Sequence, residues 1–136
     1  MRHPILATAI LALFVASAAG AQTLTGEAAR KSPQADAFLA YEHSLIGGGL
    51  KAAIPYMTPE KLADLKGMAE MFGEAGFNEF LARMRGGAQG EARRKQIMSV
   101  AIDDDHAMLE ARDDPNTITE QHLDRTREGW KVGMRP

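Results

Sequence analysis

The spacing of apolar residues changes near Arg93, and this change most constrains the fold. Before Arg93, apolar side chains recur every three or four positions, which is typical of one face of an α-helix. After it, the larger side chains Met98, Val100 and Ile102 fall at every second position, as in a β-strand with one face on a core. Helices followed by strands predict an α+β domain.

Two cap-and-proline pairs and several glycines divide the first part into helices. Ser32-Pro33 predicts a helix start, because a serine N-cap accepts a backbone N–H and proline suits the first helical position. The helix is expected to run to about Ile46 and to stop at Gly47-Gly48-Gly49. The sequence therefore predicts a first helix of about four turns.

The second and third helices follow from the same signals. Thr58-Pro59 repeats the cap-then-proline pair, and Gly73 and Gly76 interrupt the helix that it begins. A third helix is expected from residue 74 or 75 to Arg85, ahead of Gly86-Gly87. Three helices therefore precede the change of spacing.

Short turn signals separate the strands. Residues 103–105 and 113–116 are rich in Asp, Asn and Pro, and they flank predicted strands over residues 106–112 and 117–126. A last strand carries Trp130 and Val132. The prediction is a curved, mainly antiparallel four-stranded sheet packed on three N-terminal helices. The residues expected to line its core or a pocket are Phe38, Leu39, Leu45, Met98, Val100, Leu109, Trp130 and Val132.

Length and composition limit the function classes. A chain of 136 residues that is 45% hydrophobic forms one globular domain, expected over residues 33–136. The absence of cysteine excludes disulfides, thiol nucleophiles and cysteine-ligated zinc. A formal net charge of −2 argues against nucleic-acid binding, which needs a surplus of cations.

The first 21 residues have the pattern of a secretory signal peptide. Arg2 precedes an apolar run from Ile5 to Ala16, and Ala19-Gly20-Ala21 has the small-x-small form of a cleavage site. We expect cleavage after Ala21, with Ala18 as the alternative, and then a flexible lead-in over residues 22–32. This predicts a periplasmic or secreted protein without a stable membrane anchor.

Three segments resemble the nuclear-transport-factor-2-like superfamily, over roughly residues 34–135. They are Ala37-Phe38-Leu39-Ala40, Ala52-Ala53-Ile54-Pro55-Tyr56-Met57 and Arg127-Glu128-Gly129-Trp130-Lys131-Val132-Gly133. The resemblance implies a cone-shaped fold with a pocket that relatives use for catalysis, ligand binding or dimerisation. It carries over no catalytic residue, because no acid, base or tyrosine set of that superfamily matches positions in this chain.

Glu42 is the foremost candidate for chemistry. At 100° per residue it falls among Phe38, Leu39 and Leu45 on the apolar side of the first helix. A carboxylate buried there needs a hydrogen-bonding or cationic partner, or it takes up a proton. Glu42 is therefore either a general base in a pocket or a residue at the rim of the stripe that reaches solvent or an arginine.

His122 and Tyr41 are the other candidates. His122 shares one face of a strand with Glu120, which lies close enough to orient its imidazole if that face lines the pocket. A solvated strand explains the same pattern with fewer assumptions. Tyr41 is expected to be an aromatic residue at the edge of the core, with its hydroxyl at the surface.

The charged runs predict no metal site and no cofactor. The aspartates of residues 103–105 and 113–114 lack the D-x-D-x-D-G order of a calcium loop, and turn chemistry accounts for them. The basic cluster is interpreted as a solvated face; its members are Arg83, Arg85, Arg93, Arg94 and Lys95.

Two functions remain. The first is an exported, non-catalytic module that binds a small apolar ligand or a protein partner through a pocket or sheet face, and that dimerises through its sheet. The second is a small isomerase-like or cyclase-like enzyme with Glu42 as base and His122 or Tyr41 as hydrogen-bond donor.

Overall fold

In a computed structural model of the chain, residues 21–134 are described. The predicted signal peptide therefore lies outside the described residues, apart from Ala21. The described part contains four helices and five strands. In chain order these are β1 Ala21–Thr25, α1 Gly26–Arg30, α2 Pro33–Ala53, α3 Pro59–Gly86, α4 Gly90–Lys95, β2 Ile97–Asp103, β3 His106–Asp114, β4 Thr117–Thr126 and β5 Gly129–Val132. A short 3-10 turn, Ile54–Tyr56, joins α2 to the cap of α3.

The strands form one antiparallel sheet in the order β1-β2-β3-β4-β5. The α+β class and the meander of strands after Arg93 are confirmed. The predicted numbers of strands and helices, four and three, are wrong. A fifth strand, β1, lies along β2, where Leu24 is opposite Val100.

Both predicted cap-and-proline pairs begin helices. The Ser32 hydroxyl accepts a hydrogen bond from the backbone N–H of Ala35 at 3.1 Å, at the start of α2. The Thr58 hydroxyl accepts one from the backbone N–H of Lys61 at 3.2 Å, at the start of α3. Each cap satisfies a backbone donor that has no partner within its helix.

The predicted glycine breaks are kinks within longer helices. Gly49 in α2 and Gly73 in α3 both have a φ of 75°, in the left-handed region that opposes helix propagation. Helical structure resumes after each of them, to Ala53 and Gly86. The first helix therefore extends beyond Ile46, and the predicted second and third helices are the two arms of α3.

The sequence patterns missed three elements. The expected flexible lead-in, residues 22–32, contains most of β1 and the short helix α1. Of the five β1 residues only Leu24 is a large apolar residue, so β1 has too little alternation to be recognised without its partner β2. Likewise, α4 has the sequence GEARRK, which has no apolar stripe, and its arginines hold it in place through ion pairs.

The core lies between α2, α3 and one face of the sheet, here called the inner face. Five of the expected core residues are fully buried: Phe38, Leu45, Val100, Leu109 and Val132. Leu39 and Trp130 are partly buried against this core, whereas Met98 lies outside the cluster. The prediction for Met98 is wrong because the β2–β3 register shifts between Ile97 and Ser99, so that Ile97 and Val100 are both buried.

Candidate functional site

A partly open cavity of about 700 Å³ lies between α2, α3 and the inner face of the sheet; we call it the helix–sheet cavity. The two helices line it with apolar side chains, which are Ile46, Leu65, Met68, Phe80 and Met84. Polar side chains of the helices and of the sheet also line it, and they include Tyr41, Glu42, Lys61, Arg83, Arg93, Asp113 and Gln121. The cavity thus combines an apolar surface with a few convergent polar groups.

Arg93 closes one end of the cavity. Its Nε and Nη2 atoms donate to the two carboxylate oxygens of Glu42 at 2.9 and 3.0 Å. Its Nη1 atom donates to Asp113 Oδ1 at 2.6 Å and to Gln96 Oε1 at 2.8 Å. The guanidinium therefore connects α2, α4 and β3, and the bidentate geometry with Glu42 is the strong form of an arginine–carboxylate pair.

The environment keeps this guanidinium charged. Burial by itself would lower the pKa of Arg93, but the hydrogen bonds that its guanidinium donates to Glu42 and Asp113 outweigh this effect, and the pKa is raised. The guanidinium also lies over the Phe38 ring, 5.2 Å from its centroid. Thr119 completes the network by donating to the second oxygen of Asp113 at 2.6 Å.

Arg93 was expected on a solvated basic face, and this prediction is wrong. Its side chain is only 10% exposed. The physical reason is the pair of carboxylates, which compensates the cost of removing a cation from water. Residues 93–95 are consecutive, so composition alone does not show which arginine turns inward.

Glu42 has the arginine partner that its position on the apolar stripe required. Both of its oxygens accept hydrogen bonds from Arg93, and its side chain is 14% exposed. To act as a base toward a bound substrate, the carboxylate would have to give up one of these bonds. Glu42 and Tyr41 both line the helix–sheet cavity, but the structure does not bring His122 to it.

His122 lies on the opposite, outer face of the sheet. Its neighbours in β4, Gln121 and Leu123, face the cavity and the core. The Nδ1 atom of His122 is 3.0 Å from Nε2 of His106, whose Nδ1 atom is 3.1 Å from Asp124 Oδ1. This cluster of His106, His122 and Asp124 is thus separated from Glu42 by the sheet.

Tyr41 is buried, with 4% of its surface exposed, whereas its hydroxyl was expected at the protein surface. Burial, reinforced by the nearby Glu42 and Asp64 carboxylates, raises the pKa of its phenol. Within residues 21–134 the hydroxyl has no hydrogen-bond partner. Tyr41 therefore adds a protonated donor to the lining of the cavity.

Lys61 also lines the cavity, and the sequence patterns did not single it out as a site residue. It lies in the first turn of α3 and lines the cavity together with Leu65 and Met68. Burial lowers the pKa of its ammonium group, and Asp64 partly opposes this effect. The spacing of the sequence does indicate this position, because residues 61, 65 and 68 fall on one face of a helix and Lys61 therefore shares the face of Leu65 and Met68.

A second cavity, of about 450 Å³, lies between α2 and α4 on the other side of the Glu42–Arg93 pair. Leu39 and Ile46 supply apolar surface there. Its two arginines are already paired: Arg93 binds Glu42, and Arg94 binds Asp36 at 2.9 Å and Glu91 at 3.4 Å.

Metal sites and membrane-spanning helices were also looked for among the described residues. Between Ala21 and Met134, no three His, Asp or Glu side chains are grouped so that they would hold a metal ion. Over the same residues no helix combines the length and the hydropathy needed to span a bilayer. No protein-family model, curated protein or solved structure matches this chain.

Proposed function

We propose that this chain is a non-catalytic module that binds a small, largely apolar molecule in the helix–sheet cavity. The observation that carries the proposal is the cavity itself: about 700 Å³, with a helical wall of aliphatic, aromatic and methionine side chains. Small-molecule sites occupy about 300–1,000 Å³ and are lined in this mixed way. Methionines such as Met68 and Met84 adapt to ligands of irregular shape.

The placement of the candidate catalytic residues favours binding over catalysis. Acid–base chemistry needs a base and a donor within hydrogen-bond reach of one substrate. Glu42 is held by Arg93 at the cavity, and His122 is on the outer face of the sheet. The isomerase-like or cyclase-like alternative is therefore left with Glu42 and Tyr41, which both line the cavity, and Glu42 would have to give up a hydrogen bond to Arg93 before it could act as a base.

The proposal includes the superfamily and the location of the protein. Helices that pack on an antiparallel sheet, with a cavity between the two layers, are what supports the proposed membership of the nuclear-transport-factor-2-like superfamily. The N-terminal pattern supports export to the periplasm or the medium. Mass spectrometry of the exported product tests the second point, and a chain that keeps Met1 would refute it.

Binding of N-phenyl-1-naphthylamine, a neutral apolar fluorophore, tests the proposed function. We expect it to bind the wild-type protein and to be displaced by medium-chain alcohols. The variant Ala88→Trp places a large ring at the cavity wall, between α3 and α4, and should abolish binding. Ala82→Trp, on an exposed position of α3 outside the cavity lining, is the matched control. Equal binding by both variants would contradict the assignment of the site.

A further inference from the structure

We infer that the molecule bound in the helix–sheet cavity is a carboxylic acid with an apolar tail, and that Lys61 and Tyr41 bind its carboxylate. This inference rests on the proposed function and adds the chemical class of the ligand. It follows from which polar groups of the cavity already have partners and which do not.

Lys61 supplies a cation without an ion-pair partner. No carboxylate lies within 4.0 Å of its ammonium group among residues 21–134. The lining has two other cations: Arg93 binds both Glu42 and Asp113, and Arg83 is largely exposed and lies 3.9 Å from Glu79. Lys61 is at a half-buried position and shares the cavity wall with Leu65. A bound anion there would compensate the burial that lowers the pKa of this lysine.

Tyr41 supplies a second donor. Its side chain is buried and lines the same cavity, and its hydroxyl has no partner within the described residues. The pKa of this phenol is raised, so the proton stays on the oxygen at neutral pH. A carboxylate has two acceptor oxygens, which suits one ammonium and one hydroxyl donor.

The acidic side chains of the cavity do not compete as binding sites for a cation. Both oxygens of Glu42 accept bonds from Arg93, and those of Asp113 accept from Arg93 and Thr119. Asp114 is exposed and accepts the backbone N–H of Asn116 at 2.8 Å. The polar groups left open inside the cavity are therefore mainly donors, which selects for an acceptor head group.

The apolar side chains of the cavity indicate that the part of the ligand beyond the carboxylate is a hydrocarbon. Leu65 and Met68 continue along α3 from Lys61, and Phe80 and Met84 belong to the second arm of the same helix. A molecule whose carboxylate meets Lys61 can therefore lay its hydrocarbon part along α3. Burial of that part supplies affinity, and the carboxylate supplies orientation.

The experiment compares three ligands of equal chain length, decanoate, decanol and decylammonium, by calorimetric titration of the full chain at neutral pH. Decanoate should bind about tenfold more tightly than decanol, because its carboxylate accepts charge-assisted hydrogen bonds that the neutral hydroxyl of decanol does not form. Decylammonium should bind more weakly than decanol. This comparison needs no variant and decides the head-group question by itself.

Two substitutions then locate the carboxylate. Lys61→Met should remove the preference for decanoate and leave the affinity for decanol within about twofold, because the hydrocarbon stem is kept. Lys66→Met, at an exposed lysine of the same helix outside the cavity lining, is the matched control and should keep the preference. Tyr41→Phe should reduce decanoate affinity by about three- to tenfold, since it removes one hydrogen bond.

The outcomes separate this inference from the proposed function. Equal affinities for decanoate and decanol, or tighter binding of decylammonium, would overturn the carboxylate assignment and leave the binding module intact. Preference for decanoate that survives Lys61→Met would overturn the role of Lys61. If none of the three ligands binds, both the inference and the proposed function fail.

Discussion

The two faces of the sheet use their polar side chains differently. On the inner face, Leu109 and Leu123 are fully buried, and the polar residues Thr119 and Gln121 lie where the face borders the cavity. On the outer face, Met108 and His106 are half-buried beside Glu110. The inner face is thus a core with a polar margin, and the outer face is a mixed surface throughout.

The side-chain hydrogen bonds of the two faces connect different parts of the fold. Arg93, at the margin of the inner face, connects a strand to two helices through Glu42, Gln96 and Asp113. His106, on the outer face, bonds to two residues of the adjacent strand, His122 and Asp124. The first network therefore holds layers of the fold together, while the second joins strands that the sheet already holds. The predicted homodimer through the sheet would use the outer face, and it stays a prediction.

The largest effect is expected from removing the cation of the inner network. Arg93→Met should lower the free energy of unfolding by about 3–5 kcal/mol, because it leaves the Glu42 and Asp113 carboxylates partly buried without their partner. Urea unfolding followed by circular dichroism measures the change.

The control for this variant is Arg94→Met. Arg94 binds Asp36, whose side chain is 64% exposed, and such a pair is worth at most about 1 kcal/mol. A loss of similar size for both variants would contradict the distinction between a buried network and a surface pair. Adding Glu42→Leu to Arg93→Met should recover part of the stability, since it removes one unpaired carboxylate.

Substitutions at two adjacent residues of β3 allow the two faces of the sheet to be compared directly. Leu109→Ala should cost about 2–5 kcal/mol, because Leu109 is fully buried on the inner face and leaves a void there. Met108→Ala, one residue away on the outer face, should cost about 1 kcal/mol or less. Thermal and urea unfolding of the two variants give the difference, and equal losses would show that the outer face is packed against something in solution.

The sequence predicts those parts of the fold whose signal is local. Ser32 and Thr58 cap helices because each lies three residues before a backbone donor that it reaches. The alternation in β3 is visible because one face of that strand borders the core. Such features depend on a few neighbouring residues, so one chain is enough to find them.

The features that the sequence missed depend on distant partners. The burial of Arg93 requires Glu42, which is 51 positions earlier, and Asp113, which is 20 later. β1 requires β2, which follows more than 70 positions later. The sequence places Glu42 among apolar positions and predicts that, if buried, it has a partner or takes up a proton. Which arginine becomes that partner depends on the packing of α4.

The outer-face cluster should contribute less than the inner network. His106→Gln should cost about 1 kcal/mol, because it weakens side-chain bonds between strands that keep their backbone ladder. Asp124→Asn tests the same cluster from its other end and should have a similar effect. A loss as large as that of Arg93→Met in either variant would show that this face also holds separate layers together.

The smallest effect at neutral pH is expected for Tyr41→Phe, since the hydroxyl has no partner within the described residues and its removal leaves the ring in place.

The stabilities of wild type and Tyr41→Phe should differ at alkaline pH. The folded protein holds the pKa of Tyr41 above its ordinary value of 10.0, so above about pH 10 the unfolded chain loses this proton before the folded protein does. Wild-type stability should therefore fall with rising pH in that range, and the variant should lose less. Lys61, whose pKa is lowered, is present in both proteins, so its contribution cancels in the comparison.

Urea midpoints of the two proteins at about pH 7 and about pH 11 measure the effect. The control is Tyr56→Phe, because Tyr56 is 38% exposed. Parallel losses in wild type and Tyr41→Phe would mean that the phenol of Tyr41 is not buried in the folded protein.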